Sequence, residues 1–108
     1  MDSFDLSQVA QERARLGRRY HEFLRVPSMS AGLYVLGAGS EDPQQPHTED
    51  EIYHVVRGRA TIRVEDEDQV VGPGSVIYVA AGVPHRFHTI EEELEILVVF
   101  ASAERAGG

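Results

Sequence analysis

The chain has 108 residues, a length for about one domain with a single core, and its 42% hydrophobic and 26% charged content is that of an ordinary globular protein rather than a disordered one. A formal net charge of -8 opposes binding to nucleic acid or anionic lipid. The absence of cysteine excludes disulfides, thiolate zinc sites and cysteine nucleophiles, so any metal here is held by nitrogen and oxygen. All ten basic residues are arginine, which removes Schiff-base chemistry as well. No apolar run approaches the ~20 residues needed to cross a bilayer, and the acidic start Met1-Asp2-Ser3 lacks a basic segment followed by an apolar one, so a cytoplasmic location is expected.

The first predicted element is one amphipathic helix, opened by the capping pair Asp5 and Gln8. It is carried by Leu6, Val9, Ala10, Leu16, Tyr20, Phe23 and Leu24 at three- and four-residue steps. Gly17 weakens its middle and Pro27 stops it, which assigns residues 1–27 to a helix packed on the rest of the domain. Arg13, Arg15, Arg18 and Arg19 form its solvated face.

From residue 28 to 101 the pattern is mostly β. Short runs at Leu33 to Leu36, Ile52 to Val56, Ala60 to Val64, Val70 and Val71, Val76 to Val79, His85 to His88 and Leu94 to Phe100 are cut by turn residues. The turns fall at Gly37 and Gly39, Gly58, Glu65 to Asp68, Gly72-Pro73-Gly74, Gly82 with Pro84, and Glu91 to Glu93. This pattern predicts a sandwich or small barrel. The acidic run lacks the staggered oxygens and glycine of a calcium loop, and no Lys follows Gly72-Pro73-Gly74, so both read as turns. In the last run Leu94, Ile96, Val98 and Phe100 share one face, while Leu97 and Val99 lie on the other and need cover from the helix or from a second copy. A homodimer through sheet faces is therefore expected, with residues 102–108 a loose tail.

The densest chemistry runs from Gln45 to Gly58. In an extended backbone Gln45, His47, Glu49 and Glu51 project to one side. A second cluster, Pro84-His85-Arg86-Phe87-His88, puts His85 and Phe87 on one face and His88 on the other. If both strands line one cavity, Gln45, His47, Glu51 and His85 converge into a nitrogen and oxygen set suited to a divalent transition metal. With His47, His85 and Glu51 alone, the set is two histidines and a carboxylate, which places iron first, ahead of manganese, nickel, zinc or copper. Gln45 is a weak neutral ligand or a hydrogen-bond partner behind the ligands. Glu49 is a candidate fourth ligand or general base, with its place at a loop edge favouring a solvated carboxylate. Tyr53 faces the cavity, where its hydroxyl either orients a substrate, as the candidate catalytic group, or is satisfied by barrel packing. Tyr34 and Phe87 line the pocket as walls. His54 and His88 point away.

These residues resemble the cupin superfamily. Gly39, five residues, Gln45, one residue, His47, three residues, Glu51, six residues and Gly58 follow its first motif, with Gln45 where the family usually has its first histidine. Gly74, Gly82 and His85 fit the spacing of its second motif, with Ala80 in place of the proline and Thr89 in place of the asparagine. The resemblance runs from about Leu33 to Phe100. It implies a small single-domain double-stranded β-helix, or jelly-roll barrel, with His47, Glu51 and His85 as ligands and Gln45 by position. It also implies a metal-dependent enzyme on a small oxygen-rich molecule, a dioxygenase first and an isomerase or lyase second. The alternative is a non-catalytic small-molecule-binding barrel.

Overall fold

The computed structural model describes residues 1–43 and 46–103, so the expectations for Gln45 and for most of the C-terminal tail fall outside the described residues. The elements are a helix α1 (Leu6–Leu16) and strands β1 (Tyr20–Val26), β2 (Met29–Leu36), β3 (Asp50–Val64), β4 (Glu67–Val71), β5 (Val76–Val79) and β6 (His85–Ala101). They hydrogen-bond in the order β1-β2-β6-β3-β4, with β5 on β3. Every pairing is antiparallel.

The N-terminal helix is shorter than its apolar spacing predicts. Asp5 caps it, accepting the Ser7 amide at 2.9 Å, but the helix ends at Gly17, whose φ of 66° is the left-handed C-cap conformation. Tyr20, Phe23 and Leu24 belong instead to β1, with Tyr20 opposite Tyr34 and Val26 opposite Met29. Their spacing also fits a bulged strand, and the register shift between Glu22 and Leu24 supplies that bulge. The 1–27 segment is thus a helix followed by a strand.

The two central strands are longer than predicted. β3 runs through Gly58, and β6 runs through Glu91 to Glu93, where turns are expected. Their shared ladder shifts register between Val55 and Thr61. Gly58 sits there with φ 97°, and a Cβ on it would lie 2.2 Å from the Glu93 carbonyl oxygen, so only glycine lets the two backbones pass this closely. The bulges bend both strands, and the sheet folds back on itself. Leu36, Tyr53, Val55, Leu94, Ile96, Val98 and Phe100 from one half meet Ile62, Val71 and Phe87 from the other in one buried cluster. This is the mostly β jelly-roll barrel expected from the sequence.

The alternation read from the last strand holds: Leu94, Ile96, Val98 and Phe100 are buried inside the barrel. On the outer face Leu97 and Val99 are half-buried beside their register partners Leu33 and Ala31. Those two are buried, as is Val9 of α1, which packs against β1 and β2. The face continues past the helix onto β3 and β5 as Ile52, Val76 and Tyr78, exposed by 44%, 65% and 61%. Among the described residues, no helix is long and apolar enough to cross a membrane.

Candidate metal centre

The start of β3 and one turn bring the candidate ligands together. β3 begins at Asp50 and turns the odd residues inward, so Glu51 and Tyr53 are buried while Ile52 and His54 are exposed. The Ala80 to Val83 turn after β5 docks on the start of β3: the Asp50 carboxylate accepts the Ala81 amide at 2.8 Å, and the His47 carbonyl accepts the Gly82 amide at 2.7 Å. β6 then starts at His85 and points that ring inward with Phe87.

His47, Glu51 and His85 each offer a ligand atom within 4.8 Å of one another. At metal–ligand distances of about 2.1 Å, such donors stand about 3 to 4 Å apart, so a small inward adjustment completes the shell. The donor chemistry also fits. Glu51 is 2% exposed, and its Oε2 has no hydrogen-bond partner among the described residues, the condition of a carboxylate oxygen aimed at a cation. The Glu51 Oε1 lies 2.8 Å from His85 Nε2. On the other side of the ring, His85 Nδ1 donates to the Val83 carbonyl at 2.8 Å. That bond commits the proton to Nδ1 and leaves Nε2 either as a ligand lone pair or as the carrier of a second proton. Burial works against that second proton, but the hydrogen bond and charge of Glu51, together with the Val83 carbonyl, outweigh burial and the neighbouring His47. The imidazole therefore holds its proton above its ordinary range.

Tyr53 is fully buried, and its hydroxyl lies 2.9 Å from the same Nε2. Phe87 stacks edge-on against Tyr53 at 5.1 Å between ring centres, and Phe100 does the same to His47 at 4.8 Å. These rings wall the centre with apolar surface. Tyr34 lies in the same core, but its hydroxyl is engaged, donating to Asp42 Oδ1 at 2.6 Å.

Three features of the site depart from the expectations or were missed by them. Glu49 is not a solvated carboxylate: it is 7% exposed, accepts the Thr48 hydroxyl, and has an Oε1 without a partner among the described residues, although it lies outside the ligand cluster. Asp42, unremarkable in an acidic loop, ties that loop to the barrel by accepting from Tyr34 and from the Phe87 amide at 2.9 Å. The Val83 carbonyl that orients His85 carries no side-chain signal at all. His54 and His88 do point away, His54 into solvent and His88 to the Asp68 carboxylate at 2.9 Å.

Residues 32–100 match the family described as the cupin domain. An uncharacterized protein of Streptomyces coelicolor is 51% identical over 104 residues, covering 96% of this chain and 99% of its own. Among solved structures, TT1209 from Thermus thermophilus superposes with a TM-score of 0.76 at 24% identity over 95% of this chain and 99% of that one. The DMSP lyase DddQ from Ruegeria pomeroyi does so with a TM-score of 0.70 at 23% identity, over 82% of this chain and 50% of the lyase. Both structural likenesses are likenesses of fold.

Proposed function

The chain belongs to the cupin family, and from that footing we propose that it is a metal-dependent enzyme acting on a small oxygen-rich molecule inside the barrel. The observation that carries this reading is the convergence of His47, Glu51 and His85 with the Tyr53 hydroxyl on one buried point. A divalent metal held by those three residues would supply Lewis acidity and a template for substrate oxygens. The protein's own groups do the rest. Val83 fixes the His85 ring, Phe87 and Phe100 keep water from the centre, and Glu51 balances positive charge there. The Tyr53 hydroxyl, 2.9 Å from His85 Nε2, stands beside the ligands where it would orient a bound molecule.

A proton donor set against the ligands favours a redox-neutral isomerisation or elimination. The two-histidine, one-carboxylate donor set favours iron and dioxygen chemistry, which is the second reading. Elemental analysis of anaerobically purified protein, followed by the activity of Tyr53→Phe, tests the proposal. Near-stoichiometric metal that is lost in His47→Ala and His85→Ala is the expected result. Metal content indifferent to both changes would leave a non-catalytic binding barrel in its place. Iron with substrate-dependent oxygen uptake would move the second reading to the front.

The bare apolar half of the outer face, at Ile52, Val76 and Tyr78, further supports a homodimer in which two copies cover each other's β3 and β5.

A further inference from the structure

On the outer face of the β3 and β6 ladder, charge meets countercharge in register, except at the end beside the metal centre. Arg57 stands opposite Glu95 and Arg59 opposite Glu92, and the first pair is closed by an ion pair at 2.5 Å. Farther along the same strands Arg63 stands opposite Arg86. Like charges directly opposite in an antiparallel pair work against the fold. Arg63 leans on Asp68 at 3.3 Å, but that carboxylate is shared with His88 at 2.9 Å and also feels Arg86. Arg86 is exposed, and its side chain makes no hydrogen bond or ion pair among the described residues. The local arrangement is thus two guanidinium groups near the shared Asp68 carboxylate, with Glu65 beside them, in a chain whose net charge is -8.

This arginine pair borders a pocket of about 260 Å³ lined by Pro46, Arg63, Glu65, Pro84, His85 and Arg86. His85 belongs both to the pocket wall and to the ligand cluster, and Pro46 directly precedes His47, so the pocket adjoins the strand and loop ends that carry the metal centre. We propose that this pocket binds an oxyanion, a carboxylate or a phosphate, on the outer side of the barrel wall whose inner side carries the His47, Glu51 and His85 centre. Guanidinium groups suit that partner because their planar forks bind such oxygens in pairs, and an exposed Arg86 gives up no internal partner to do so. Glu65 in the same wall opposes the anion and sets how tightly it is held.

The test is a titration of the full-length protein at low ionic strength with acetate, acetamide and inorganic phosphate, read as amide and arginine Nε–H chemical shifts. Saturable shifts at Arg63, Glu65 and Arg86 with acetate or phosphate, absent with neutral acetamide, are expected, and the tighter of the two anions names the source of the charge. Arg86→Gln, on an exposed side chain, should weaken binding by about tenfold, and Glu65→Gln should strengthen it. Metal content measured on the same samples should be unchanged in Arg86→Gln, which separates a failed anion pocket from a failed metal centre. Shifts of equal size with acetamide, or anion binding unaffected by Arg86→Gln, would overturn the proposal.

Discussion

The Glu51 carboxylate stands 2.8 Å from His85 Nε2, with each side chain about 1% exposed. A buried ion pair of this kind roughly breaks even in stability, because desolvation of both charges offsets their attraction. A proton on His85 Nε2 and a cation bound by that nitrogen would claim the same lone pair, so the two compete. For the metal-free protein the sign follows from His85, whose folded-state pKa is raised. Its contribution to stability is fully present below the unfolded value of about 6.5 and is lost as pH rises through the higher folded value. Metal affinity runs the other way and rises with pH as the proton leaves. Thermal melts in chelator should therefore fall in midpoint from about pH 6 to about pH 8, while melts with added metal rise. In His85→Asn both slopes should flatten, and a metal-dependent slope surviving that change would exclude His85 as a ligand.

Much of this centre is legible in the sequence because ligand spacing and strand alternation are counting arguments. Alternation turns His47 and Glu51 to one side and His85 inward on its own strand, and the resemblance of their spacing to the cupin motifs is what joins the two strands into one ligand set. What was not legible depends on partners far along the chain. Tyr20, Phe23 and Leu24 satisfy a helical period as well as a bulged strand, and only the edge of β2 decides between them. Gly58 and Glu91 to Glu93 have turn chemistry, yet each serves equally on the outside of a bent strand. Asp42 reaches the Phe87 amide across 45 residues, a distance no local pattern encodes.

Tyr34 and Asp42 should govern stability at alkaline pH. Burial first, then the hydrogen bond and charge of Asp42, raise the Tyr34 phenol above its ordinary value, with Arg19 opposing. The sign is that of a group holding its proton more tightly when folded: the contribution is fully present below about pH 10 and is lost as pH rises beyond it. Tyr34→Phe leaves Asp42 Oδ1 without this donor and should cost about 1 to 3 kcal/mol at neutral pH. Urea melts of the two proteins should converge above about pH 10, and a constant difference would exclude the phenol as the titrating group.

Gly58→Ala tests whether the bend in β3 is obligatory. A methyl group there meets the Glu93 carbonyl oxygen at 2.2 Å, and the φ of 97° is one that alanine resists. Both effects act on backbone, which yields less readily than a flexible side chain. A loss of about 3 kcal/mol or more is expected in urea denaturation. Gly37→Ala, where a Cβ meets nothing within 4 Å, is the matched control and should change stability by less than about 1 kcal/mol.

The outer sheet face makes the last prediction. α1 covers the β1 and β2 half, whereas Ile52 and Tyr78, which are register partners, stand bare with Val76 on the β3 and β5 half. None of the four cross-strand partners Ile52, Tyr78, Val76 and His54 is a carboxylate or a guanidinium, and the nearby Asp50 carboxylate interacts with Tyr78, so two copies can meet over a largely apolar patch despite a net charge of -8 on each. An aromatic residue at the centre of such a patch is the usual anchor. Light scattering should find a dimer at micromolar concentration, and Tyr78→Asp should weaken it by about 2 kcal/mol or more. Ile52→Arg should act in the same direction, because each copy would place its new charge against the other's apolar face. Monomer stability should hardly change in either variant, since both side chains are already exposed. A wild-type monomer at that concentration would leave the face without a partner of its own kind.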